Sequence, residues 1–155
     1  KVKGEANARF DAISREYIYK IHQNKNPFLN NRSLYYKGNI NIHLMNEACK
    51  VLVASSDFQS FSKVKTEVDN FKCVINYARF EKSNDNFNFI ISSNRFLRGM
   101  VRCIVGTLLE VSEKKISLEE FNKIVENKDR KGAGPSVLAS GLYLSKIEYP
   151  SNIYI

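Results

Sequence analysis

The chain has no tryptophan, two histidines, three cysteines and three prolines in 155 residues. His22 and His43 stand at no ligand spacing, so the sequence implies no metal site. Cys49, Cys73 and Cys103 are far apart, odd in number and form no C-x-x-C. This excludes a disulfide framework and a zinc knuckle. It leaves three small reduced core residues, which suits a cytoplasmic location. No apolar run approaches the ~18 residues a membrane helix needs. The opening, Lys1-Val2-Lys3-Gly4-Glu5, has no apolar signal core and no initiator methionine, and reads as the middle of a longer protein. Also lacking are a Ser/His/Asp order, G-x-x-x-x-G-K, G-x-G-x-x-G and H-E-x-x-H. Lys131-Gly132-Ala133-Gly134 is too short to cradle a phosphate by itself.

What is present is ordinary in quantity and uneven in charge. The hydrophobic fraction of 43% and charged fraction of 26% belong to a soluble globular chain. Ten Phe and eight Tyr supply core side chains in place of Trp. A chain of this length suits a single domain spanning 1–155 and buries about 68–70% of its unfolded surface. Lys+Arg 24 against Asp+Glu 16 gives a net charge of +8 and a pI near 9.4. Such an excess favours encounter with polyanions, nucleic acid foremost.

Hydrophobic periodicity predicts the order β-α-β-β-α-α-β. Residues 8–22 read as one long strand, with Ile13, Arg15, Tyr17, Tyr19 and Ile21 on one face. A turn-rich stretch covers 23–39. A helix is predicted over 42–54, with Leu44, Ala48, Val51 and Leu52 on its apolar face. Strands follow at 70–82 and 87–93, joined through Ser83-Asn84-Asp85-Asn86. A second helix is predicted from about Arg95 to Val111 with Asn94 as N-cap. A third starts at Ser117, which forms a capping-box pair with Glu120. The last strand runs over 142–149 and stops at Pro150. The fold class expected is α+β, a mixed or antiparallel sheet with helices packed on one face.

Two elements could carry chemistry. On a regular helix Arg95, Arg98 and Arg102 would form a stripe within about 60°, flanked by Gly99 and Gly106. Glycines inside a helix cost roughly 1 kcal/mol each against Ala, and close approach of another backbone is the usual reason for keeping them. A phosphate or a carboxylate could approach that stripe, or the arginines could simply be solvated. On a regular strand Arg9, Arg15, Tyr17 and Tyr19 would share a face. Aromatics interleaved with cations suit stacked bases and their phosphates. Tyr is equally a good strand former.

Together, and in order, several segments resemble the TruA family of tRNA pseudouridine synthases. Ala8-Arg9-Phe10-Asp11-Ala12 resembles the family's A-R-F-S-A, and Ser14-Arg15-Glu16-Tyr17-Ile18-Tyr19 its S-R-x-Y-x-Y. Met45-Asn46-Glu47-Ala48 and Asp57-Phe58-Gln59-Ser60-Phe61 follow, the latter leading to Lys63 and Lys65. Asn94-Arg95-Phe96-Leu97-Arg98-Gly99-Met100-Val101-Arg102, continued by 104–111, is the most specific segment. Lys128-Asp129-Arg130, Ala133-Gly134 and Gly141-Leu142-Tyr143-Leu144 complete the set.

The resemblance implies isomerisation of uridine to pseudouridine at anticodon-arm positions 38–40 of tRNA. It implies no cofactor or metal, and a homodimer acting in the cytoplasm without a membrane. The family's nucleophile is an aspartate in a G-R-T-D-A-G motif of an N-terminal domain, a motif that these residues do not contain. None of Asp11, Asp57, Asp69, Asp85 and Asp129 stands in that context, so the chain is expected to be the C-terminal half, inactive by itself. By the family pattern Arg102 pairs with that aspartate, Tyr17 packs on the target base and Leu142 lines the base pocket. Arg9, Arg98 and Lys63 would hold phosphates. Two departures stand out: Asn7 where histidine is common, and Ser136-Val137-Leu138-Ala139 where T-A-P-A is usual. The alternatives are a non-catalytic RNA-binding module of the same fold and a basic interaction domain unrelated to RNA.

Overall fold

The computed structural model describes residues 1–63, 68, 70–84 and 86–155. Lys65, Asp69 and Asp85 lie outside the described residues. Five strands form one mixed sheet: β1 (Ser14–His22), β2 (Leu34–Tyr35), β3 (Ile75–Ser83), β4 (Asn86–Ser93) and β5 (Leu142–Glu148). Among the described residues three α-helices accompany the sheet: α1 (Ile42–Ala54), α2 (Met100–Ser112) and α3 (Leu118–Asn127). The sheet order is β2-β1-β4-β3, with β5 also on β1. β4 takes one edge of β1 without interruption from Arg15↔Ser93 to His22↔Asn86. The other edge is shared, antiparallel β5 covering Ser14 to Tyr19 and parallel β2 covering Ile21 and His22.

Residues opposite one another in an antiparallel pair share a face. Tyr19↔Phe89 and Ile21↔Phe87 therefore point the same way, and all four are buried in one core with Met45 and Leu52 of α1, Ile104 and Leu108 of α2, and Phe121 of α3. Each such side chain contributes about 1.5–3 kcal/mol on burial. The opposite face carries Glu16, Lys20 and Asn88, none of them in that core. The helices thus lie on one face of the sheet. At the β3 edge, Asn46 of α1 brackets one backbone unit: its Nδ2 donates to Phe80 O at 3.2 Å and its Oδ1 accepts from Phe80 N at 2.7 Å. That satisfies groups an edge strand otherwise leaves open. No helix among the described residues is long and apolar enough to cross a membrane.

The helices end where local chemistry stops them. Asn41 Oδ1 accepts from Leu44 N to start α1. Ser117 and Glu120 form the full capping box of α3, with bonds of 2.7 and 3.1 Å. α1 buries Met45 and Cys49 beside Ala48 and Leu52, while Leu44 and Val51 pack half-buried at its flank.

Four sequence expectations need correction. Residues 8–13 are not strand. Asn7 Oδ1 accepts from Arg9 N and Phe10 N, Asp11 Oδ2 accepts from Asn7 N, and Asp11 N donates to Asn7 O. Side chains that satisfy the backbone locally compete with a ladder, and Arg9 accordingly sits in a turn. The first helix turn predicted at Arg95 does not form. Asn94 is bonded to Val74 through both its N–H and its Oδ1, and Gly99 adopts φ +77° immediately before α2. Arg95 and Arg98 therefore precede the helix, and the three-arginine stripe does not exist. β3 starts at Ile75 rather than 70, since Lys72 forms only an isolated bridge with Asp57. The stretch read as turns holds β2, which among the described residues pairs with β1 alone, in parallel, after a loop that carries the chain back.

Candidate nucleic-acid interface

Two clefts carry most of the candidate residues. The larger, about 980 Å³, is lined by Arg9, Phe10, Ala12, Arg15, Tyr17, Val68, Asn94, Arg95 and Phe96. Its described lining holds three arginines and no carboxylate. Arg15 builds its floor. The guanidinium donates to Ala12 O, Asn94 O and Arg9 O, tying the 7–11 turn to the end of β4. Tyr17 is half-buried and meets Phe96 edge-on, with ring centroids 5.1 Å apart. Arg9 lies over the Phe10 ring at 5.3 Å.

The second cleft, about 440 Å³, is lined by Phe61, Lys63, Gly99, Arg102, Arg130 and Ser136. Arg102 Nε donates to Val137 O at 2.6 Å, and Val137 N donates back to Arg102 O at 3.2 Å. The paired bonds fix the guanidinium stem against the loop that departs from the family sequence. Among the described residues no carboxylate forms a salt bridge with Arg102. Arg130 donates to Ala133 O, closing the same rim. The loop can come this near because position 106 is glycine: a Cβ there would meet Pro135 O at 1.7 Å. Of the two helix glycines expected to mark a close backbone approach, Gly106 does so and Gly99 lies outside the helix.

The clefts are joined by the segment 94–99, which gives Phe96 to the first and Gly99 to the second. Exposed Arg98 lies on this bridge, and its carbonyl accepts from Lys63 N at 2.9 Å. Tyr17 and Tyr19, two apart on a strand paired without interruption to β4, face the same side. Tyr19 O–H donates to Leu138 O, next to the carbonyl that Arg102 holds. Tyr17 and Arg102 are thus on the same side of the sheet, each lining its own cleft. Leu142 opposes Tyr19 across β5, half-buried against the core, and lines neither cleft.

Tyr19 itself is no stacking surface. It is fully buried, and burial pushes its hydroxyl up to about 12, with the Arg102 charge acting the other way. The thiols of Cys49 and Cys73 are likewise pushed up by burial, to about 12 and about 11. None of these groups is suited to nucleophilic work near neutral pH. Sequence reasoning left Phe96 and Arg130 without roles. Neither stands out by spacing or composition, and only the fold brings them to a cleft.

A family model described as tRNA pseudouridine synthase matches residues 48–150, from within α1 to just beyond β5. The chain belongs to the tRNA pseudouridine synthase family. It is 45% identical over 152 residues to tRNA pseudouridine synthase A of Parabacteroides distasonis, covering 97% of this chain and 60% of that protein. With the protein of the same name from Azobacteroides pseudotrichonymphae the identity is 44%, over 99% of this chain and 61% of the relative. With that of Geobacillus sp. it is 37%, over 92% and 58%. The chain therefore spans about three fifths of the length of the relatives it matches.

Proposed function

We propose that this chain is the C-terminal half of a cytoplasmic tRNA pseudouridine synthase that isomerises uridines of the anticodon arm, at positions 38–40, as a homodimer. The observation that carries this reading is Arg102: a cation anchored through Nε on Val137 O, without a carboxylate partner among the described residues. An aspartate brought to it would be kept ionised, because an adjacent permanent cation opposes the desolvation that otherwise protonates a buried carboxylate. That aspartate, expected from a G-R-T-D-A-G segment, attacks the target nucleoside as the N-glycosidic bond breaks. The uracil turns, and its C5 bonds to C1′ as the carboxylate is released; C5 loses its proton and N1 gains one. Atoms are conserved, so no cofactor is required.

Tyr17 packs on the base, with Phe96 holding the Tyr17 ring edge-on. Leu142, which borders neither cleft of these residues, would line the base pocket completed by the other half of the protein. Arg9, Arg98 and Lys63 take phosphates of the strand on either side. Family membership and the cation-lined clefts support this division of labour.

The test uses the whole gene product and an anticodon-arm RNA carrying tritium at uridine C5. Pseudouridine formation releases the label to water. Arg102→Leu is expected to lower kcat/KM by roughly 10²–10³, the scale for losing one preorganised electrostatic group, with RNA affinity changed far less. Turnover by Arg102→Leu at the parent rate would overturn the assignment. RNA binding without tritium release by the parent would make the protein a non-catalytic RNA-binding module.

A further inference from the structure

The larger cleft holds a side chain with no explained role. Phe10 is 76% exposed, although the following Asp11 is half-buried and Ala12 buried. A large exposed aromatic is common enough on a surface to need no explanation by itself. Here further observations accompany it. The turn that presents it is rigid, held by four hydrogen bonds among Asn7, Arg9, Phe10 and Asp11. Its base is bolted to the sheet by Arg15. Among the described residues, the charged members of the ring's surroundings are all arginines, Arg9, Arg15 and Arg95. A second aromatic, Tyr17, lines the same space. At about 980 Å³ this space is at the upper end of the roughly 300–1,000 Å³ typical of small-ligand pockets.

We infer that Phe10 is a second base-stacking surface of this cleft, taking a nucleotide that flanks the reacting uridine while Arg9 contacts its phosphate. The inference rests on the RNA-modifying reading above. The charge of the lining selects the occupant. An apolar peptide would bring no anion to the three guanidinium charges, whereas a polynucleotide brings one phosphate for each base it stacks. The fixed turn lowers the ordering cost of stacking, since the ring is already held in place. Asn7, which departs from the family sequence, is what fixes the turn: its Oδ1 takes both the Arg9 and Phe10 N–H groups.

The chain has no tryptophan, so Phe10→Trp introduces a single indole reporter. Phe28→Trp serves as control, replacing an aromatic that is 82% exposed and lines neither of the two clefts. The probe is an anticodon stem–loop RNA at low salt. Phe10→Ala is expected to weaken binding roughly 5- to 150-fold, the equivalent of one lost base–aromatic stack. Phe10→Trp should restore it, with emission quenched at saturation while Phe28→Trp emission stays unchanged. Parent-like affinity of Phe10→Ala, or equal quenching in the two Trp variants, overturns the stacking site and leaves the functional reading intact. Failure of the whole gene product to bind the stem–loop overturns both.

Discussion

Replacing Gly106 by alanine tests whether the loop beside Arg102 is held where the structure has it. In an exposed helix the substitution would stabilise by about 1 kcal/mol. Here the new Cβ would stand 1.7 Å from Pro135 O and 3.0 Å from Pro135 C, where ordinary contact begins at 3.4 Å. The obstacle is backbone, so no rotamer change relieves it, and the loop must retreat by roughly 1.5–2 Å to restore ordinary contact. That loop is fastened by Gly134 N to Thr107 Oγ1 at 3.0 Å, by the reciprocal Arg102–Val137 bonds and by Tyr19 O–H to Leu138 O at 2.7 Å. Losing two of these costs about 2 kcal/mol at typical net values, and overpacking adds about 1–3 kcal/mol. Less the helix gain, Gly106→Ala should destabilise by about 2–4 kcal/mol. For a chain of this size that lowers the thermal midpoint by roughly 5–15 °C. Circular dichroism melts and urea titrations of parent and variant measure it. A midpoint unchanged or raised would refute the close loop–helix approach, and with it the anchoring of Arg102.

A pure preparation of these 155 residues should form no pseudouridine on anticodon-arm RNA, because a missing covalent nucleophile leaves no route through the other groups; measurable tritium release would refute this. Its RNA affinity should fall steeply with salt, each neutralised phosphate adding roughly 0.7–0.9 to the log–log slope, and a salt-insensitive titration would point to an apolar or peptide partner. Cys49, Cys73 and Cys103 are buried, and burial raises all three thiols. Labelling by a thiol reagent at pH 8 should therefore await denaturation, and rapid labelling of the native chain would contradict the core.

Legibility in the sequence followed the range of the interactions involved. The start of the third helix could be read to the residue, because Ser117 and Glu120 satisfy each other's backbone within one turn. The first helix was equally plain, although Met45 and Cys49, not Leu44 and Val51, take its deepest positions. The β3–β4 hairpin and the last strand were legible because alternation and turn residues are also local. In contrast, Arg95 and Arg98 look helical in sequence, and only the bonds from Asn94 to Val74, twenty residues away, hold them off the helix.

The sequence by itself determined the class of fold, the ordered motifs and the basic excess, since each is written in composition or in spacing over a few residues. The tertiary structure alone decided which cations share a cleft. It separated Tyr17, with Arg9 and Arg15, from Arg102, with Lys63 and Arg130, and joined the two groups through residues 94–99. It also buried Tyr19 while leaving Phe10 open. Those outcomes depend on how the 7–11 turn, the end of β4 and the 134–138 loop pack against one another, and pairings between distant segments leave no periodic trace in the chain.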